Sequence, residues 1–111
     1  MERWFTKSFR ERSPQVVAWM QGMFAATPLE GYIACGQAVR DMDHRELLPK
    51  IRVPTLVIAG KHDPATPVEA SEYIKSRIPG ATLTMLDAAH LSNVEQPVAY
   101  TDAVLDFLLT R

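Results

Sequence analysis

Asp63 and His90 are the residues of this chain whose types and spacing point most directly to chemistry. They lie 27 positions apart, and each follows a short apolar run. Thr55-Leu56-Val57-Ile58-Ala59 leads into Gly60-Lys61-His62-Asp63-Pro64, and Ala81-Thr82-Leu83-Thr84-Met85-Leu86 leads into Asp87-Ala88-Ala89-His90. A carboxylate that orients an imidazole, which then takes a proton from a hydroxyl, is the acid and base half of a Ser-acid-His triad. The missing member is a serine on a Gly-x-Ser-x-Gly turn. Ser8, Ser13, Ser71, Ser76 and Ser92 all lack glycine two positions to either side. Each half of the pair also has a plainer reading: Asp63-Pro64 is a common turn signal, and His90 taken alone could be a satisfied loop histidine. His62 reads as a surface neighbour of Asp63, and His44 as a solvated residue at a charged helix start.

Positioning such a pair requires two strands whose ends lie side by side. From Val53 onward the pattern is strand, helix, strand, helix, which implies a parallel pair joined by right-handed crossovers. The almost continuously apolar run from Thr55 to Ala59 suits a strand covered on both faces, whereas the mixed run from Ala81 to Leu86 suits a place nearer an edge. Two parallel strands need neighbours for their faces and edges. Residues 1 to about 50 contain no strand-like run and read as helices only. Thr27-Pro28-Leu29-Glu30, Asp43-His44-Arg45-Glu46 and Thr66-Pro67-Val68-Glu69 each match a capping box. They predict helices from 27 to about 40, from 43 to just before Pro49, and from 66 to about 78, with Pro28 and Pro67 at the first helical position. Ser13-Pro14 predicts another helix, with Val16, Met20 and Met23 or Phe24 on one face. Gln96-Pro97 predicts a last one, with Val98, Val104, Leu105 and Leu108 on its apolar face.

The 111 residues allow one small domain with a core. A hydrophobic content of 47% with 23% charged residues is that of an ordinary globular protein. The net charge of −1 has no basic patch behind it, so neither nucleic acid nor an anionic membrane is an expected partner. No stretch is long and apolar enough for a signal peptide or a membrane span. Cys35 is the single cysteine, which excludes an intrachain disulfide and fits a reducing cytoplasm. It has no base at helical spacing and reads as a small core residue. No Cys/His spacing suggests a zinc site, and no cofactor is expected.

Several stretches resemble the C-terminal half of the α/β-hydrolases, and within them the bacterial 3-oxoadipate enol-lactonases. These are Glu2-Arg3-Trp4-Phe5-Thr6, Glu30-Gly31-Tyr32-Ile33-Ala34-Cys35, Ala38-Val39-Arg40-Asp41, Val53-Pro54-Thr55-Leu56-Val57-Ile58-Ala59-Gly60, Asp63-Pro64-Ala65-Thr66-Pro67 and Asp87-Ala88-Ala89-His90-Leu91-Ser92-Asn93-Val94-Glu95-Gln96-Pro97. The resemblance implies an α/β fold in which residues 1–45 form a helical cap and residues 46–111 the C-terminal part of the core, with the last two parallel strands and their helices. It implies hydrolysis of an enol-lactone from aromatic-acid breakdown, with His90 as general base and Asp63 as its orienting acid. Arg3 and Trp4 would contact the substrate, because a lactone bearing a carboxylate calls for a forked cation. The plainer reading, which taken on the residues alone is the better one, is an exposed arginine beside a core tryptophan. Trp19, Met20, Met23 and Phe24 could line an acyl pocket or simply pack the cap.

A complete enzyme of this kind is about twice as long as this chain, so the sequence reads as truncated or split, with an upstream hydrolase segment supplying the serine. The open sheet edges also suggest self-association. The alternatives are a non-catalytic fragment or binding module, a haloperoxidase-like esterase and a carbon–carbon bond hydrolase.

Overall fold

The computed structural model describes residues 1–110. Its elements are α1 (Lys7–Arg12), α2 (Pro14–Ala25), α3 (Leu29–Asp41), a 3₁₀ helix (Arg45–Lys50), β1 (Leu56–Gly60), α4 (Val68–Arg77), β2 (Thr82–Leu86), α5 (Ser92–Glu95) and α6 (Pro97–Leu109). β1 and β2 pair in parallel, from Leu56 opposite Thr82 to Gly60 opposite Leu86. Helices α4 and α6 both pack on the two strands. The first 50 residues are helical without a strand, as their pattern predicts.

The helix starts differ from the capping boxes read in the sequence. Pro28 and Pro67 have extended ψ values of 128° and 157°, so each caps its helix from outside rather than occupying the first turn. Proline also pushes the residue before it out of helical geometry, which leaves both threonines free for other partners. The Thr27 hydroxyl turns back to the Met23 carbonyl at the end of α2, and the Thr66 hydroxyl goes to Asp63. Asp43 does accept the Arg45 amide, but the segment it opens is a 3₁₀ helix that continues through Pro49. The short helices α1 and α5 each contain a Ser-x-x-Glu run, Ser8 to Glu11 and Ser92 to Glu95, but α1 is capped by Thr6 instead and α5 has no side-chain cap.

The core is small and lies where the N-terminal turn meets the strand ends. Phe5 is fully buried and stacks on buried Phe9 at 5.0 Å; Ala59, Ile78, Ala81, Leu86, Ala88 and Ala89 complete the core. Beyond Phe5 and Phe9, the helical first part contributes little to it. No residue of α2 or α3 is buried, and Cys35, expected in a core, is exposed together with the rest of α3. Phe24 links the two helices through edge-on contacts with Trp4 at 5.4 Å and Tyr32 at 5.5 Å. β1, expected to be covered on both faces, is buried only at Ala59 and Gly60. Along α6, Val98, Leu105 and Leu108 are exposed, and Tyr100, Val104, Phe107 and Leu108 border the same cavity as Leu56 and Ile58 of β1.

The whole surface measures 7998 Å², against about 6,100 Å² for a compact monomer of this mass. The radius of gyration is 15.7 Å, where about 13 Å is usual for this length. The chain thus presents far more surface than a closed domain of its size, with large apolar side chains such as Trp19, Leu29 and Val98 among the exposed. None of the described helices is long and apolar enough to cross a membrane.

One close approach fixes the strand ends. A Cβ at Gly60 would lie 2.6 Å from the Ala88 carbonyl oxygen and closer still to that of Ala89. The loop carrying His90 is therefore laid directly on the end of β1. Gly60→Ala should lower stability by about 1–3 kcal/mol through this overlap; an unchanged urea midpoint would contradict the packing.

Candidate active site

The parallel register delivers both loops to one end of the sheet. After Gly60, β1 turns through the Asp63 loop, where Lys61 donates its amide to the Leu86 carbonyl and His62 donates to Ala88. After Leu86, the chain runs through Asp87, Ala88 and Ala89 to His90. The imidazole Nδ1 of His90 lies 2.8 Å from Oδ2 of Asp63. An ionised carboxylate only accepts, so Nδ1 carries the hydrogen, and in the neutral ring Nε2 is then left with a bare lone pair. Asp63 has a buried side chain, 6% exposed, while the His90 ring is 37% exposed. The acid is thus enclosed, and the ring's far side is open.

Asp63 is held by more than the histidine. Its Oδ1 accepts the amides of Ala65 at 2.8 Å and Thr66 at 3.0 Å, and its Oδ2 accepts the Thr66 hydroxyl at 2.7 Å. The same hydroxyl lies 3.3 Å from His90 Nδ1. Burial acts to raise the Asp63 pKa, but the Thr66 hydroxyl, His90 and the two amides outweigh it and hold the carboxyl below its ordinary value. The carboxylate stays charged at neutral pH, as orienting an imidazole requires.

In front of His90 is a cavity of about 440 Å³ lined by Leu56, Ile58, Tyr100, Val104 and Phe107. Ser92 and Asn93 also border it. Arg3 and Trp4 line a different cavity, with Gln21, Phe24 and Tyr32. Trp4 nevertheless touches the histidine loop through its backbone, since its carbonyl accepts the Leu91 amide at 3.0 Å. His62, read as a plain surface residue, is exposed and pairs with Asp87 at 2.7 Å. His44 is exposed. Trp19, Met23 and Phe24 are exposed on α2. Among the described residues, no cluster of His, Cys, Asp and Glu is arranged to hold a metal.

Sequence reasoning missed two residues of this neighbourhood. Thr66 was assigned to a helix cap, and only the extended Pro67 shows that it turns to Asp63. Glu95 is buried behind the histidine loop and bonds to Thr6 and Ala89. Its spacing from Ser92 matches a capping box, but that pattern does not disclose its partners, one of which is 89 positions away.

A parallel strand pair with an Asp on one outgoing loop and a His on the next is an arrangement proper to α/β-hydrolases. The α/β-hydrolase fold family model matches residues 2–97, and the chain belongs to that family. It is 43% identical over 102 residues to 3-oxoadipate enol-lactonase 2 of Acinetobacter baylyi, covering 92% of this chain and 38% of that protein. The crystal structure of the enol-lactonase from Burkholderia xenovorans superposes with a TM-score of 0.95 at 41% identity, over 96% of this chain and 41% of that one. A thermophilic esterase from Thermogutta terrifontis, with malate bound, matches with a TM-score of 0.92 at 31% identity, over 98% of this chain and 41% of that one. The chain therefore spans about two fifths of the length of the relatives it matches.

The lowered Asp63 pKa has a definite consequence for stability. A carboxyl whose folded pKa lies below its unfolded value of about 3.9 contributes stability that is complete above that value and is lost as pH falls through the folded pKa. Urea midpoints should therefore fall on acidification below about pH 4, and Asp63→Asn should flatten that limb. Parallel acid limbs for the two proteins would count against the charged, hydrogen-bonded Asp63.

Proposed function

We propose that this chain supplies the acid and base half of a serine hydrolase acting on a carboxylic ester or lactone, with an enol-lactone as the substrate. The observation that carries the reading is the 2.8 Å contact between buried Asp63 and the Nδ1 of a half-open His90. A serine delivered to the open Nε2 side would lose its proton to that nitrogen as its oxygen attacks the lactone carbonyl. Asp63 would stabilise the imidazolium that forms. When the tetrahedral intermediate collapses, the ring C–O bond breaks and His90 returns the proton to the departing enol oxygen. Water then attacks the acyl-enzyme, with His90 again as base.

The serine and the oxyanion hole belong, on this reading, to an upstream hydrolase segment. In the assembled enzyme, residues 1–45 are the cap and residues 46–111 the end of the core. The surface supports a missing neighbour: the excess over a compact monomer is roughly 1,900 Å², whereas a typical interface takes about 800 Å² from each partner. Arg3 and Trp4 are proposed to meet the substrate carboxylate where the cap comes down on the site. The similarity to enol-lactonases supports this choice of substrate, and the single cysteine supports a cytoplasmic setting.

A second reading is favoured by one observation for the chain on its own. His90 Nε2 has no hydroxyl or thiol within hydrogen-bond distance among the described residues. Alone, then, the chain would be a non-catalytic module that self-associates through its open strand edges.

Joining the upstream part of the Acinetobacter enol-lactonase to this chain tests both readings. The chimera should hydrolyse the enol-lactone in preference to an ester without a free carboxylate, and the chain alone should not. His90→Ala should then cost ~10²–10⁴-fold in kcat. A fully active His90→Ala chimera would remove the basis of the proposal; an inactive chimera that is folded would favour the module.

A further inference from the structure

We infer that Glu95 is a positioning residue for His90, tying the histidine loop to the N-terminal turn; this rests on the reading of His90 as the general base. Glu95 is 5% exposed, and it is the most deeply buried charged residue among those described. Its Oε2 accepts the Ala89 amide at 3.0 Å and the Thr6 amide at 3.2 Å, and its Oε1 accepts the Thr6 hydroxyl. All three partners are donors. The Thr6 oxygen in turn accepts the Phe9 amide at 3.2 Å, which caps α1 and leaves the hydroxyl hydrogen for Glu95. The arrangement suits an anion: a buried carboxylate is tolerated where charge-assisted bonds replace its water.

The position of these bonds gives the carboxylate its role. Ala89 immediately precedes His90, and Leu91 immediately follows it. The Ala89 amide is fixed by Glu95, and the Leu91 amide by the Trp4 carbonyl at 3.0 Å. Trp4 and Thr6 belong to one turn, which is closed by amides of Trp4 and Phe5 on the Met1 carbonyl and anchored by fully buried Phe5. His90 is thus suspended between two attachments to the same rigid segment. With both flanking amides held, its backbone has little freedom to swing, and the ring meets Asp63 without a search. A hydrophobic residue at position 95 could fill the same space but could not hold Ala89.

The test reads the imidazole directly. In ¹⁵N-labelled chain, His90 should be in the Nδ1–H tautomer that its bond to Asp63 demands. Glu95→Gln keeps the side-chain volume but places an amide among three donors. The His90 signal should then shift toward the Nε2–H form that predominates in a free histidine, while the β1–β2 amide resonances stay in place. A folded Glu95→Gln protein with an unaltered His90 tautomer would overturn the inference and leave Glu95 a structural residue only. If that variant does not fold, hydrogen exchange in the unsubstituted chain decides. The Ala89 amide should be protected at least tenfold relative to a free peptide, and exchange at the free rate would refute the tie.

In the chimera, Glu95→Gln should lower kcat ~10–100-fold with KM unchanged, because misplacement of a catalytic group by about 1 Å is costly. An unchanged kcat would count against the inference. An inactive unsubstituted chimera would count against the hydrolase reading alone, because the tautomer measurement does not depend on turnover.

Discussion

Everything at the candidate site depends on β1 and β2 running in the same direction. Their register puts Gly60 opposite Leu86, so the two outgoing loops start side by side. Three residues take one loop to Asp63, and four take the other to His90. Had the strands been antiparallel, one loop would leave from the far end of the pair, roughly 13 Å away at ~3.3 Å per residue. No side-chain adjustment spans that gap to make a 2.8 Å hydrogen bond. The α4 crossover is what permits the parallel arrangement, and it packs on both strands that it connects.

Direction alone brings the loops together without fixing the ring. The fine placement comes from small residues and backbone bonds. Gly60 lets the Ala88 and Ala89 carbonyls lie against the end of β1, and the His62 amide donates to Ala88. The Asp63 carboxylate is held by Ala65 and Thr66 before it meets the imidazole, so the acid is oriented by its own loop. A preset acid does not have to be reorganised when the histidine gains a proton, which is the advantage that fixed dipoles have over water. The N-terminal turn contributes from the opposite side, through Trp4 and through Glu95.

The parts legible in the sequence were those with a local period or a local contrast. The run from Thr55 to Ala59 and the run from Ala81 to Leu86 announce strands displaced by no more than a residue from Leu56–Gly60 and Thr82–Leu86. Given two strands in sequence with a helix between them, the meeting of Asp63 with His90 follows from connection rules. What stayed hidden depends on distance along the chain or on competition between partners. Thr66 has both a cap and an acid within reach, and composition does not say which it takes. The Thr6–Glu95 contact joins residues 89 apart. Cys35 and the apolar face of α6 were misjudged for a related reason. Apolarity indicates that a side chain seeks cover, and the cover need not come from within these 111 residues.

That last point bears on how the first helices should be understood. In a closed domain, Trp19, Met23, Leu29, Tyr32 and Ile33 would be an unfavourable set to leave exposed, at about 25 cal/mol for each Å² of apolar area. Here they are exposed on α2 and α3. The two helices meet the remainder through the Trp4–Phe24 ring contact and the packing of α2 on α1, and each other through Phe24 and Tyr32. A unit held by a few aromatic edges can tilt more readily than one fused into a core. On the proposed reading this suits a cap, which must admit a substrate and then exclude water. The firm part of the site is then Asp63 with His90, built on the strands and tied to the N-terminal turn, and the adjustable part is α2 and α3 beyond that turn. The Leu91 to Trp4 hydrogen bond and the Thr6 bonds to Glu95 join the N-terminal turn to the histidine loop, so on that reading movement of α2 and α3 would alter the substrate's surroundings while leaving the acid and the base in register.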